Sequence, residues 1–143
     1  MSKRRKGRTY AMLSLFSFFV CETQPLETLR FLGEERRASE PVLAFAKELI
    51  EGVTLNIATL DQLLQNHLKN WSLERTGNLE KTLLRIGAYE LMYSKDMPSS
   101  AIVHEAVEIA RDYLSEESIK FINGVLGALE KEIRIKPQKQ DVE

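Results

Sequence analysis

Apolar residues recur along the chain at spacings of three and four, and no segment of useful length alternates apolar with polar residues. The most apolar stretch, residues 83–93, contains only two charged residues, Arg85 and Glu90. A helix that is apolar on all sides has to be buried, and an unpaired charge in a core costs several kcal/mol. We therefore expect an all-α protein organised around this helix, with Arg85 paired to Glu90, Glu105 or Glu108.

Capping residues, glycines and prolines divide the chain into about seven helices of a single compact domain. A single turn is expected at residues 71–75, before the central helix. The first helix is predicted from Arg4 to Val20, the second from Pro25 to a stop at Gly33, and the third from near Pro41. Thr59 and Gln62 form a predicted capping box for the fourth helix, and the central helix is predicted to begin at an Asn78 cap and to end near Lys95. The sixth helix is predicted to start at Pro98, and the seventh at a Ser115 cap.

The helical spacing also predicts which side chains face the core. Leu26 is expected to face inward from the second helix and Tyr113 from the sixth, and the last helix carries an apolar stripe from Ile119 to Ile133. We expect Gly124 and Gly127 in that helix to let another helix approach closely, which offsets their cost of about 1 kcal/mol each.

The net charge of −1 conceals an asymmetry between the start of the chain and the rest. Residues 1–8 form a predicted basic N-terminal arm, residues 9–135 the helical domain and residues 136–143 a polar, disordered tail. A basic arm on a body with net charge −6 is typical of a protein that binds a polyanion, although a solvated terminus has the same composition. The basic residues of the arm are Lys3, Arg4, Arg5, Lys6 and Arg8.

An apolar run at residues 11–21 follows the basic residues, which is also the pattern of a secretory signal peptide. No cleavage site of small residues follows the run, and it is too short to span a bilayer. Cys21 is the single cysteine, so an internal disulfide is excluded and a reducing compartment is indicated. We expect a cytoplasmic protein without membrane association, with Cys21 buried as a small apolar residue.

One pair of residues weakly indicates a metal site. His104 and Glu108 stand at the spacing of two ligands in a zinc-binding helix, but His67 is the only other histidine and a zinc site needs a third ligand. Glu105 and Glu108 are better explained by pairing with Arg85 or another base. No glycine-rich phosphate loop, nucleophile elbow or cysteine cluster is present. We expect neither metal, cofactor nor catalytic residue.

Recognition by a surface is the remaining possibility. Phe121 lies about 110° from the apolar stripe of the last helix, beside Lys120, by the 100° step of a helix. An aromatic ring next to a base is suited to stacking on an unpaired nucleotide while contacting its phosphate. Packing of Phe121 against a neighbouring helix explains the same position equally well.

Three segments together resemble the bacterial antitermination factor family NusB, over nearly the whole chain from Arg4 to about Ile133. They are the basic start running into residues 10–16, residues 71–75 leading to residues 84–91, and residues 98–110 followed by residues 120–126. His104 and Leu114 depart from residues common in the family.

The resemblance implies a fold of two three-helix bundles sharing one core. It implies an RNA-binding adaptor that pairs with the NusE ribosomal protein, grips the boxA sequence of nascent ribosomal RNA as a single strand, and acts with other Nus factors on RNA polymerase. Some members form homodimers. The implied protein-binding residues are Glu74, Arg75 and Glu80, and the implied RNA-binding residues are Lys3, Arg4, Arg5, Lys6, Arg8, Tyr113, Lys120 and Phe121, with Glu117 nearby.

Two alternatives stay open. The fold is also similar to the RNA-binding domain of ribosomal RNA cytosine methyltransferases, which would make the chain a detached targeting module. No methyl-donor loop or catalytic cysteine motif is present to support catalysis by the chain itself. The other alternative is a helical homodimeric scaffold that binds no RNA.

Overall fold

Every regular element in the computed structural model is helical, and the structure describes residues 2–69 and 71–135. The prediction of an all-α protein with seven helices is confirmed for these residues. Met1 and the predicted tail lie outside them. The α-helices are α1 (Lys3–Cys21), α2 (Pro25–Glu35), α3 (Glu40–Leu55), α4 (Ile57–Gln65), α5 (Asn78–Tyr93), α6 (Ser99–Tyr113) and α7 (Glu116–Glu130), with a 3-10 turn at Leu73–Arg75 and a π-helical turn at Lys131–Ile135.

Helix α5 is the centre of the packing. Helices α1, α2 and α3 pack on one another as one bundle, and α5, α6 and α7 form a second. Helix α5 also contacts α1, α3 and α4, so that a single apolar core runs through both bundles. Residues 82–88 of α5 are all buried. The expectation of two three-helix bundles sharing one core is confirmed. Burial of the stretch 83–93 ends before its last residue, since Tyr93 is 47% exposed.

Arg85 is buried as predicted, but its partner is none of the three expected carboxylates. Its Nε and Nη2 donate to the two carboxylate oxygens of Asp61 on α4, at 2.7 and 2.8 Å. The guanidinium also lies over the ring of Phe19, 4.4 Å from the centroid. Asp61 is available because α4 begins at Ile57, which brings it one turn into the helix and against α5.

Three predicted helix boundaries are wrong. Asn56 is the only residue between α3 and α4, so Thr59 lies inside α4 and forms no capping box. Gly33 lies within α2, where the side chain of Leu43 fills the space of its missing Cβ, and the chain turns instead at Arg37, with φ 51°. Gly77 is the cap of α5, and Asn78 is its first residue.

The glycines that permit close helix packing are not the two predicted. A Cβ on Gly87 of α5 would lie 2.8 Å from Cδ1 of Leu126, so it is here that α5 and α7 need a missing side chain. A Cβ on Gly124 or Gly127 would have no neighbour within 4 Å. These two glycines of α7 therefore serve no packing contact among the described residues.

Three side chains expected in the core are exposed instead. Cys21 and Tyr113 are the last residues of α1 and α6, and Leu26 is in the first turn of α2. Each lies at a helix end, where the helical spacing continues but coverage by neighbouring helices is reduced. The helical period alone therefore overestimated the extent of the core.

Candidate nucleic-acid interface

The basic residues at the start of the chain belong to α1 and do not form a separate arm. Ser2 caps this helix, and its Oγ accepts a hydrogen bond from the backbone N–H of Arg5 at 3.1 Å. Because the helix places the residues on different sides, they have different environments. Lys3, Arg4 and Lys6 are exposed, and the Arg4 guanidinium lies 5.3 Å from the centre of the Phe45 ring.

Arg8 is buried and does not fit the expectation that it contacts RNA. It is 2% exposed, and its Nε and Nη2 donate to the carboxylate oxygens of Glu90 at 2.7 and 2.8 Å. Its guanidinium also lies 5.2 Å from the Phe45 ring centre. The helical turn carries Arg8 toward α5, whose Glu90 is only 1% exposed. This ion pair fixes the direction of α1.

Arg5 is held at the surface by a second two-point ion pair. Its Nε and Nη2 donate to the carboxylate of Glu105 on α6 at 2.8 and 2.9 Å. These hydrogen bonds lower the pKa of the Glu105 carboxyl below its ordinary 4.5, against the opposing effect of burial. They also raise the pKa of the Arg5 guanidinium. The pair joins the cationic start of α1 to α6.

Arg134 fastens the π-helical turn after α7 to the end of α5. Its guanidinium donates to the backbone carbonyls of Leu91 and Met97, both at 2.8 Å, and to those of Glu90 and Ser94. The last carbonyls of a helix have no partner within it. Arg134 therefore caps the C-terminal end of α5 and the turn that follows.

Lys120 lies across α6 from the cations of α1. One side of α6 meets Arg5 through Glu105, and the other side borders a groove of about 580 Å³ against α7. Lys120, His104 and Arg111 line this groove together with three carboxylates, those of Glu108, Glu116 and Glu130. Tyr113 is 42% exposed and lines neither this groove nor the two clefts beside Phe121.

Phe121 is half-buried and packs against the core, yet it also lines two clefts on the surface. Both clefts are also lined by Lys69 and Trp71, which sequence reasoning did not select. The available signal was a single tryptophan in a short polar turn. A loop residue carries no helical period from which its neighbours could be inferred.

The three predicted protein-binding residues do not form one patch. Glu74 lines a cavity of about 410 Å³ with Asp61 and Arg85. Arg75 and Glu80 line the larger of the two clefts beside Phe121. The 3-10 turn at Leu73–Arg75 thus directs Glu74 and Arg75 to different surfaces.

Neither a metal-binding cluster nor a membrane-spanning helix occurs in the described parts of the chain. No group of three or more His, Cys, Asp or Glu side chains in residues 2–69 and 71–135 could hold a metal ion. Glu108, a member of the zinc-like spacing, instead accepts a hydrogen bond from Arg111 at 3.0 Å. None of the described helices has the length and apolar character needed to cross a membrane.

Comparisons with known proteins identify relatives along the whole helical domain. A transcription antitermination protein NusB from Heliobacterium modesticaldum is 40% identical over 131 residues, which cover 92% of this chain and 64% of that longer protein. The NusB of an Exiguobacterium species is 39% identical over 132 residues, covering 91% of this chain and 98% of its own.

A solved structure shows that the fold is shared as well. The crystal structure of antitermination factors NusB and NusE in complex with dsRNA contains a chain that is 28% identical and superposes with a TM-score of 0.83. The alignment covers 92% of this chain and 98% of that one. The family model described as the NusB family matches residues 5–131. The chain therefore belongs to the NusB family.

Proposed function

We propose that this protein is an RNA-binding transcription antitermination factor that binds boxA RNA of nascent ribosomal RNA transcripts together with the NusE ribosomal protein. Membership of the family supports this role, as does the solved complex of related NusB and NusE with dsRNA. The observation that carries the proposal is the group of exposed cations Lys3, Arg4 and Lys6 on a helix held by two ion pairs.

The proposed RNA surface runs from the start of α1 across α6 to α7. Lys3, Arg4 and Lys6 contact phosphates, Arg5 lies beside them, and Lys120 supplies a further cation beyond α6. Arg8 acts as a positioning residue, because its guanidinium is used inside the protein. Phe121 supplies an aromatic surface, and Tyr113 lies exposed at the end of α6.

The protein acts by binding and not by catalysis in this proposal. It works in the cytoplasm, where nascent bacterial transcripts are made, and reaches RNA polymerase through NusE and other Nus factors. Glu74 on one surface, and Arg75 and Glu80 on the other, are the proposed contacts for NusE. Their separation on two surfaces means that NusE would contact both sides of the Leu73–Arg75 turn.

Fluorescence anisotropy with a labelled single-stranded boxA-like RNA tests the proposal. We expect binding that is tighter than to a scrambled RNA of equal composition, and tighter again when NusE is added. Equal affinity for both RNAs in the presence of NusE would contradict the proposal. Absence of RNA binding together with a stable dimer in sedimentation would favour the scaffold alternative.

A further inference from the structure

Phe45 of α3 is contacted by two arginines of α1 that lie about one helical turn apart. The Cζ atom of Arg4 is 5.3 Å from the centre of the Phe45 ring, and that of Arg8 is 5.2 Å from it. Residues at i and i+4 share one face of a helix, so both side chains reach the same ring. We propose that Phe45 is a positioning residue for RNA binding, which holds the Arg4 guanidinium in place for a two-point contact with a phosphate.

The three arginines at the start of α1 differ in what holds their guanidinium groups. Arg5 is paired with Glu105, and Arg8 is paired with Glu90. Each of these pairs uses two N–H donors on one carboxylate. Arg4 is exposed and lies over an aromatic ring, and no carboxylate of residues 2–69 and 71–135 pairs with it. Arg4 is therefore the arginine of this group whose charge and donors remain available to a ligand.

Contact with a ring suits an arginine that has to bind an anion. The ring attracts the cation through its quadrupole and does not neutralise the charge, as a carboxylate would. A guanidinium over a ring keeps the N–H groups along its edge, and these groups match two oxygens of a phosphate. An arginine side chain has many rotamers, so fixing it in advance reduces the entropy lost on binding.

The Phe45 ring is itself fixed by its surroundings. It is half-buried and packs against the core. Arg8 on the ring is 2% exposed and is bound to Glu90 of α5. A Cβ on Gly7 would lie 2.7 Å from Cδ2 of Phe45, so the missing side chain lets α1 approach the ring closely. A continuous series of contacts therefore joins the central helix to Arg4 at the surface.

This inference deepens the proposed function and rests on it, so the experiment measures the two separately. A double-mutant cycle of Phe45→Leu and Arg4→Gln is followed by fluorescence anisotropy with the labelled boxA-like RNA at low salt. We expect Phe45→Leu, which keeps an apolar side chain, to weaken RNA binding about two- to fivefold, the factor that an exposed cation–π contact supplies. In the Arg4→Gln background the same change should alter the affinity less than about 1.5-fold, because the side chain that Phe45 holds is gone.

Two further readouts distinguish positioning from a general structural role. Phe45→Tyr keeps the ring and should retain the wild-type affinity to within about 1.5-fold. A proton over an aromatic ring resonates upfield, so NMR should show shifted Arg4 side-chain protons in the wild type and in Phe45→Tyr. That shift should be absent in Phe45→Leu.

Gly7→Ala tests the same contact without removing either partner. Its Cβ would lie 2.7 Å from the Phe45 ring, so the ring or α1 has to shift. We expect this variant to weaken RNA binding as Phe45→Leu does, and again only when Arg4 is present.

Matched control variants come from α2. Phe31→Leu removes another exposed aromatic ring and should leave the RNA affinity unchanged. Arg30→Gln removes another exposed arginine and should weaken RNA binding less than Arg4→Gln does. Circular dichroism melts establish that every variant folds.

Three results would overturn the inference. Equal weakening by Phe45→Leu with and without Arg4 would show that Phe45 supports the fold and not this arginine. RNA affinity unchanged by Arg4→Gln would exclude the phosphate contact. In both cases a measurable preference for boxA-like RNA leaves the proposed function intact, whereas no RNA binding by the wild-type protein, with or without NusE, would overturn both proposals.

Discussion

Arg8 and Glu90 stand 82 residues apart in the chain and form a buried, two-point ion pair with distances of 2.7 and 2.8 Å. Breaking a buried pair by removing one partner leaves an uncompensated charge, which is more destabilising than replacing both by apolar residues. We expect Glu90→Ala to lower the free energy of unfolding by about 3–5 kcal/mol. Arg8→Met combined with Glu90→Leu should recover most of this loss in urea denaturation. A loss below about 1 kcal/mol for Glu90→Ala would contradict the importance of the pair.

Breaking the Arg85–Asp61 pair should be less destabilising than breaking the Arg8–Glu90 pair, because the Asp61 side chain is one third exposed. We expect Asp61→Ala to cost about 1–3 kcal/mol of unfolding free energy, since the buried guanidinium loses two hydrogen bonds. Arg85→Met keeps the packing on Phe19 and should be less destabilising than Arg85→Ala. If thermal and urea unfolding place both Arg85 variants within about 0.5 kcal/mol of the wild type, Arg85 has no structural role.

The salt dependence of RNA binding should reflect the three exposed cations of α1. For a single strand, each phosphate contact contributes about 0.7 to the slope of log affinity against log salt. Changing Lys3, Arg4 and Lys6 to Gln should therefore flatten that slope by up to about 2 units, while preference for boxA-like over scrambled RNA largely survives.

A matched control variant removes three exposed cations from other parts of the protein surface. Arg30, Lys47 and Lys95 are also exposed, and changing all three to Gln should alter the slope much less. Equal slopes for the two triple variants would show that the start of α1 attracts RNA only through the net charge of the protein.

Charge reversal tests the proposed contacts with NusE one surface at a time. Charge complementarity acts largely on the rate of association. We expect Glu74→Lys and Glu80→Lys each to slow association of the basic ribosomal protein at low salt, as measured by surface plasmon resonance. Only one of the two having an effect would confine the interface to one side of the Leu73–Arg75 turn.

The Arg5–Glu105 pair makes a prediction about pH. Because the pKa of the Glu105 carboxyl is lowered in the folded protein, the pair contributes its full stabilisation above the ordinary value of 4.5 and loses it as pH falls through the lower folded value. An NMR titration of the carboxyl carbon should give a pKa below 4.5 in the wild type. In Arg5→Gln the value should rise, and no change would show that the two side chains do not interact in solution.

The helices were predictable because each buries apolar residues that recur at spacings of three and four within a short stretch of sequence. The partner of Arg85 was not, because an incorrect capping box at Thr59 moved the start of α4 and made Asp61 a first-turn residue. The environments of Arg5 and Arg8 depend on carboxylates 100 and 82 residues away, which local patterns do not reveal.

The residues of the candidate site also divide into those that local sequence patterns predict and those that depend on distant parts of the chain. Lys120 and Phe121 were found because they sit at a helical angle that separates them from the apolar stripe. Trp71 was missed because its place beside Phe121 depends on two hydrogen bonds in an irregular turn: Gln65 donates to the carbonyl of Trp71, and the Trp71 Nε1–H donates to Thr76. The charge of residues 1–8 pointed to the cations of α1, and resemblance to the family supplied Tyr113, Glu74, Arg75 and Glu80. The structure reassigned Arg8 from the surface to the interior.

Both ends of the described chain meet at Glu90, whose carboxylate binds Arg8 and whose backbone carbonyl accepts a hydrogen bond from Arg134. During synthesis on the ribosome, Arg8 emerges long before Glu90, and Glu105 follows later still. The first helix therefore leaves the exit tunnel without either of its ionic anchors, and Arg8 and Arg5 acquire their partners only after Glu90 and Glu105 have been translated. A nascent fragment that ends before Glu90 consequently lacks both ion pairs that hold α1 against the rest of the fold.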